Sequence, residues 1–240
     1  MAFLSHVFHW FTTGANWRGP TGIPDLFGRQ AELSLAVVAG AILVGGGLGV
    51  LLGHTGRGGL VAVNAANAAR AVPTLALLTL LAIQPSISLK WGGFLASFIA
   101  LFALAIPPIL TNTYVGMREV DAEVRDAAKA MGLTGTQVLR GVELPLALPF
   151  MMAGIRTASI EVIATSTLAA YVSYSDLGTY VIAGLNSQDD VEAFSGAILV
   201  VVLAALVAVG LSLVRRAVTP EPLRAPRAGA RADRLATAPA

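Results

Sequence analysis

The sequence predicts an all-α polytopic membrane protein with about five transmembrane helices. Of its 240 residues, 55% are apolar and only 12% charged, a balance too greasy for an ordinary soluble domain. Several apolar runs reach the ~20 residues that a helix needs to cross about 30 Å of hydrocarbon. The third observation is one long charge-bearing stretch, residues 116–145, lying between two strongly apolar blocks. No cysteine is present, which excludes disulfides and thiolate metal sites.

Residues 2–11 are aromatic and apolar but too short to span, and they read as an interfacial helix with Trp10 and Trp17 at headgroup level. His6 and His9 sit at i, i+3 with no third ligand nearby, so interfacial polarity explains them better than a metal. Gly14 to Pro24 interrupts helicity repeatedly. The first span is expected over Leu33–Leu52, where Gly45, Gly49 and Gly53 repeat the small-xxx-small spacing of close helix packing. The second, Leu60–Ile83, carries Asn64, Asn67 and Arg70 on one face before Pro73. A charge there costs ~2.5–3.5 kcal/mol on insertion scales, so that face should meet protein or water. It either lines a translocation path or forms a buried polar network.

Lys90 and Trp91 mark an interface before the third span, Phe94 to about Thr113, which contains Pro107 and Pro108. The fourth runs from Leu146 to about Ala169. Arg156 is near enough its start to snorkel toward water, whereas Glu161 is deeper and needs a partner. Arg156 is five residues away, about 140° around the helix, which makes Arg70 the better candidate. Residues 171–185 read as a half-membrane helix or outer loop, with a sixth span as the alternative. The last span is Phe194–Val214. The expected organisation is therefore 1–30 external or interfacial, 31–217 transmembrane, and 218–240 a cytoplasmic tail whose Pro, Ala and Arg content predicts disorder.

The charged stretch reads as two short helices. Val120, Val124, Ala127, Ala128 and Met131 form one apolar stripe on the first. Gly132 supplies a left-handed stop. Thr134 with Gln137 opens the second as a capping box, and Pro145 marks the turn into the next apolar segment. The spacing of Asp126-Ala127-Ala128, Gly132, Val142 and Leu144-Pro145 resembles the EAA loop of ABC-importer permeases, with Asp126 in place of Glu and Val142 in place of Ile. The resemblance implies that residues 116–145 are a cytoplasmic coupling loop, in which Asp126, Ala127, Ala128, Met131, Gly132, Leu144 and Pro145 meet an ATPase subunit.

The similarity continues in order over residues 33–214. The segments around Pro73-Thr74-Leu75, Gly154-Ile155-Arg156-Thr157-Ala158, Leu168-Ala169-Ala170-Tyr171 and Leu177-Gly178 resemble permeases for glycine betaine, carnitine and choline. In place of the Gly-rich link usual before Leu177, this chain has Val172-Ser173-Tyr174-Ser175-Asp176. The resemblance implies two cytoplasmic ATPase subunits, a second permease copy or paralogue, and an external substrate-binding protein. Lipid is the other expected neighbour; nucleic acid is not.

Charge distribution agrees with a cytoplasmic loop. With the N-terminus outside and the C-terminus inside, the inner loops hold Arg57, Arg118, Arg125, Lys129 and Arg140, and the tail is arginine-rich. The outer segments hold only Arg18, Arg29 and Lys90, as the positive-inside rule requires. The chain is not expected to be an enzyme or to carry a cofactor or metal. Lys90 precedes Trp91 and Lys129 precedes Ala130, so neither lysine belongs to a phosphate-binding Gly-Lys-Ser/Thr loop. The alternatives are a permease for another small solute, such as an amino acid, and an ion-coupled secondary transporter. The latter is disfavoured by the lack of an internal repeat.

Overall fold

A computed structural model describes residues 2–85, 93–172 and 174–218. The expected interface at Lys90 and Trp91 and most of the expected disordered tail lie outside them. Among the described residues, nine helices follow in order, besides a short 3-10 turn at Gly14–Trp17: α1 (Ala2–Thr12), α2 (Ile23–Thr55), α3 (Gly59–Ala69), α4 (Thr74–Ala82), α5 (Gly93–Arg118), α6 (Ala122–Ala130), α7 (Gly135–Val172), α8 (Gly178–Ser187) and α9 (Asp190–Val218). Of these, α2, α5, α7 and α9 are each long and apolar enough to cross a membrane, and α3 and α4 together have the length and composition of one broken span or a re-entrant loop.

Three expected boundaries change. The first span begins ten residues before Leu33, because Pro24 occupies the first turn of α2, where its missing N–H costs nothing. The second span is not one helix. Pro73 lacks a donor and disfavours helical geometry at the residue before it, so α3 ends at Ala69 and α4 departs at 74°. The fourth span does not restart at Pro145. The second short helix of the charged stretch runs into it without a turn, through a π-helical turn at Leu139–Glu143. That wider turn precedes the proline and relieves its ring against the preceding carbonyls.

The core forms where α2, α5 and α7 meet, around Leu33, Val37, Leu101, Ile109, Ala158 and Val162. α5 also packs on α3 and α4, which places it at the centre of the bundle. Close approach depends on the glycines of α2. A Cβ on Gly49 would lie 2.7 Å from Thr113 Cβ, and one on Gly53 would lie 2.3 Å from Met117 Cβ. Opposite them, a Cβ on Gly154 of α7 would lie 2.8 Å from Pro108 O. The expected packing role of Gly45, Gly49 and Gly53 is thus realised against α5 of the same chain.

The end of the bundle far from the charged stretch is tied by polar side chains. Gln30, fully buried, donates to Ile163 O at 2.9 Å and accepts from the Leu177 N–H at 3.2 Å. The Tyr174 hydroxyl donates to Arg29 O at 3.0 Å. Asp176 opens α8 by accepting from the Gly178 N–H at 2.8 Å. Ten residues give α8 a rise of about 15 Å, half of a hydrocarbon layer, in keeping with a half-membrane helix rather than a sixth span. α1 packs there too: Trp10 meets Tyr180 edge to face at 5.1 Å, so this indole serves the protein core as well as any headgroup region.

The close approach of α2 to α5 leads to a paired prediction. Gly49→Val should destabilise the detergent-solubilised protein by about 1–3 kcal/mol, because the added carbons overlap α5. Gly47→Val on the same helix meets open space and should shift stability by less than about 0.5 kcal/mol. Thermal unfolding of the two variants checks this, and equal losses would contradict the packing.

Candidate functional site

The charged stretch folds as its local chemistry dictates. Asp121 caps α6 by accepting from the Glu123 N–H at 2.9 Å. The helix ends in a Schellman motif, in which the Gly132 N–H donates to Lys129 O at 2.9 Å and the Leu133 N–H donates to Ala128 O at 3.2 Å. Gly132 sits at φ +87°, the left-handed region that glycine enters without Cβ strain. Gln137 turns back on Thr134, accepting from its N–H at 2.8 Å and from its hydroxyl at 2.9 Å.

The apolar stripe of α6 divides. Val120 and Ala128 are buried against the chain, but Ala127 is exposed, Val124 is 44% exposed and Met131 is 75% exposed. One edge therefore holds the helix to its own bundle while the other is exposed among the described residues. Asp126 is exposed too, with Lys129 Nζ 3.7 Å from its carboxylate. Leu144 and Pro145 lie half-buried within α7, just after the π-helical turn.

Beneath α6 lies a cluster that sequence reasoning did not identify. Glu143 is almost fully buried. Its Oε2 is 2.5 Å from His54 Nδ1, at the end of α2, and its Oε1 is 3.1 Å from Arg125 Nε, on α6. A terminal nitrogen of Arg125 also donates to Met117 O in the last turn of α5, where a cation complements the helix dipole. The available signal was an acid bracketed by Val142 and Leu144 at the head of an apolar run.

The mid-membrane residues separate into a pair and a face. Arg70, at the C-terminus of α3, donates to Glu161 Oε1 on α7 at 2.6 Å. The second carboxylate oxygen of Glu161 is buried without a hydrogen-bond partner. Asn64 and Asn67 do not join the pair; both are exposed on α3. Arg156 is not at the start of its helix. It lies twelve residues past Leu144, roughly 18 Å along α7, exposed beside Thr157. The chain thus exposes Asn64, Asn67, Arg70, Arg156 and Thr157 from segments with the length and composition of membrane crossings.

Comparison with known proteins is consistent with this arrangement. A family model described as "Binding-protein-dependent transport system inner membrane component" matches residues 41–221. The glycine betaine/carnitine/choline transport system permease protein OpuCB of Bacillus subtilis is 35% identical over 197 residues, 82% of this chain and 88% of that protein. The choline transport system permease protein OpuBB of the same organism is 36% identical over 192 residues, 80% and 86% of the two chains. Among solved structures, a chain of the inward-facing MetNI methionine ABC transporter superposes with a TM-score of 0.70, covering 80% of this chain and 94% of its own at 22% identity. That last likeness bears on the fold alone.

The Arg70–Glu161 contact predicts non-additive behaviour. Arg70→Gln and Glu161→Gln should each lower the yield of assembled protein, and the double change should recover part of it. The coupling expected between touching residues is about 0.5–3 kcal/mol, read from unfolding of all four proteins. Normal assembly in Glu161→Gln with selective loss of cation uptake would instead place Glu161 on a translocation path.

Proposed function

The chain belongs to the family of binding-protein-dependent transport system inner membrane components, and we propose that it is the permease of an ATP-driven importer of quaternary-amine osmoprotectants. It is a multi-pass membrane protein, and ATP hydrolysis resides on a separate subunit. Glycine betaine, carnitine and choline are the proposed cargo because the names of several relatives carry them.

The observation that carries the reading is the outward edge of α6. Val124, Ala127 and Met131 expose apolar surface beside Asp126 and Lys129, a small greasy ridge with a charged rim suited to a protein groove. We assign it to the ATPase subunit. Gly132 turns the chain immediately after the ridge, leaving Thr134 to begin the next helix without obstructing it. With this loop in the cytoplasm, the distribution of basic residues puts the N-terminus outside and the C-terminus inside.

The exposed polar face supports a second permease. Hydrocarbon cannot solvate Asn64, Asn67 or Arg156, so a further copy of this chain or a paralogue is proposed to face α3 and α7 across a water-lined path. Substrate would reach that path from an external binding protein. A permanently charged quaternary nitrogen offers no hydrogen-bond donor, so recognition in transit relies on shape and on the faces of aromatic and polar groups.

Uptake of radiolabelled glycine betaine, carnitine and choline by the reconstituted importer tests the reading. ATP-dependent uptake of at least one is expected, and uptake of none by complexes that hydrolyse ATP would contradict the substrate class. Gly132→Asp should insert normally but bind the ATPase about tenfold or more weakly, because left-handed backbone costs a side chain about 1–2 kcal/mol. Near-normal association and uptake in that variant would remove the loop from its coupling role.

A further inference from the structure

The way α6 is attached to the membrane bundle is unusual for a helix that must carry force. Ala128 is its only buried residue, and among the described elements it packs chiefly on the first turns of α7. Apolar contact of that size is worth little, about 25 cal/mol per Å² of buried surface. The firm ties come from Arg125, the one half-buried charge on α6. Its guanidinium hydrogen-bonds Met117 O on α5 and pairs electrostatically with Glu143 on α7, without hydrogen-bond geometry at Nε, and Glu143 in turn holds His54 on α2. The Glu143 carboxylate of α7 thus meets α2 and the loop helix directly, and α5 joins through Arg125.

Resting on the importer reading above, we propose that Arg125, Glu143 and His54 form the clamp that transmits movement of the ATPase-facing helix to the spans. In this role they are positioning residues, acting through the helices they join. A carboxylate removed from water is expensive unless paired, and a pair that loses one partner leaves an uncompensated charge. α6 therefore cannot shift or tilt independently of α2 and α7 without breaking a contact that resists breaking. Displacement of α6 by its ATPase is passed to α2 through His54 and to α7 through Glu143 itself. The π-helical turn at Leu139–Glu143 aims Glu143 inward, and such turns recur where a helix carries function. Purely as a loop anchor, Arg125 would need only the Met117 carbonyl; the two-sided engagement of Glu143 connects the spans as well.

The test uses the complete importer in proteoliposomes and a single cysteine in place of Thr157, an exposed position on α7, in a chain that otherwise has none. Its labelling rate by a water-soluble maleimide is measured with and without ATP. Separately, the binding of the ATPase subunit is quantified. In the otherwise unaltered chain, ATP should change the labelling rate. Glu143→Gln, Arg125→Gln and His54→Gln should each shrink that change by about fivefold or more, the lower end of ordinary coupling between sites, in complexes that still hold the ATPase. Arg125→Lys, which keeps the charge but not the fork, should give an intermediate value.

An undiminished ATP response in all three assembled variants would overturn the clamp while leaving the importer reading intact. Variants that insert but uniformly fail to bind the ATPase would overturn it too, reducing the cluster to a fold contact. No ATP response in the unaltered chain would refute the importer reading and the clamp together.

Discussion

The carboxylate of Glu161 has to meet a cation inside the hydrocarbon layer, and the arrangement of the middle of the bundle follows from that need. A lone charge on a membrane helix is tolerated only by pairing or by water. Arg156, on the same helix, is on the wrong side of it. The partner comes from α3, which ends just where Arg70 must turn toward α7. Pro73 makes that ending obligatory, since it supplies no N–H and resists helical geometry before it. The 74° departure of α4 is thus part of the solution to a half-buried charge on a span. Arg70 also sits at a helix C-terminus, where a cation gains from the dipole.

The same constraint recurs at the end of the bundle bearing the charged stretch. Glu143 is more deeply buried than Glu161 and is engaged on both oxygens. The difference suits their places: the pair at Glu161 joins two spans, whereas the cluster at Glu143 joins spans to a helix that projects beyond them. Between these two polar nodes the bundle is held by apolar packing and by glycine contacts that let α2 lie against α5. Polar atoms decide which helices are neighbours, and small residues decide how near they come.

Much of this was legible in the sequence where short-range rules govern. Gly132, the Thr134–Gln137 contact and the glycine repeat of α2 depend on a few neighbouring residues, and the structure has them as expected. The Arg70–Glu161 pair was legible for another reason: an acid on a span has few cations within reach, and Arg156 on its own helix is badly placed. Pro145 misled because proline normally ends a helix, and the rule does not see a π-helical turn placed just before it. His54 and Glu143 are 89 residues apart. Each alone looks like ordinary interfacial polarity, and only the packing of α2 against α5 and α7 brings them together. The stripe on α6 was read correctly as apolar, but periodicity cannot tell which edge faces the chain and which faces a partner.

The most direct measurement compares single cysteines at Ala127 and Ala128, adjacent residues that the structure places on opposite edges of α6. Membrane vesicles of defined orientation are treated with a membrane-impermeant thiol reagent, with and without the ATPase subunit. The cysteine at Ala127 should react from the cytoplasmic side and become protected when the ATPase binds, while the one at Ala128 should stay unreactive throughout. Reaction of Ala127→Cys from the external side, or at the same rate with the ATPase bound, would contradict the assignment of α6 as the coupling helix.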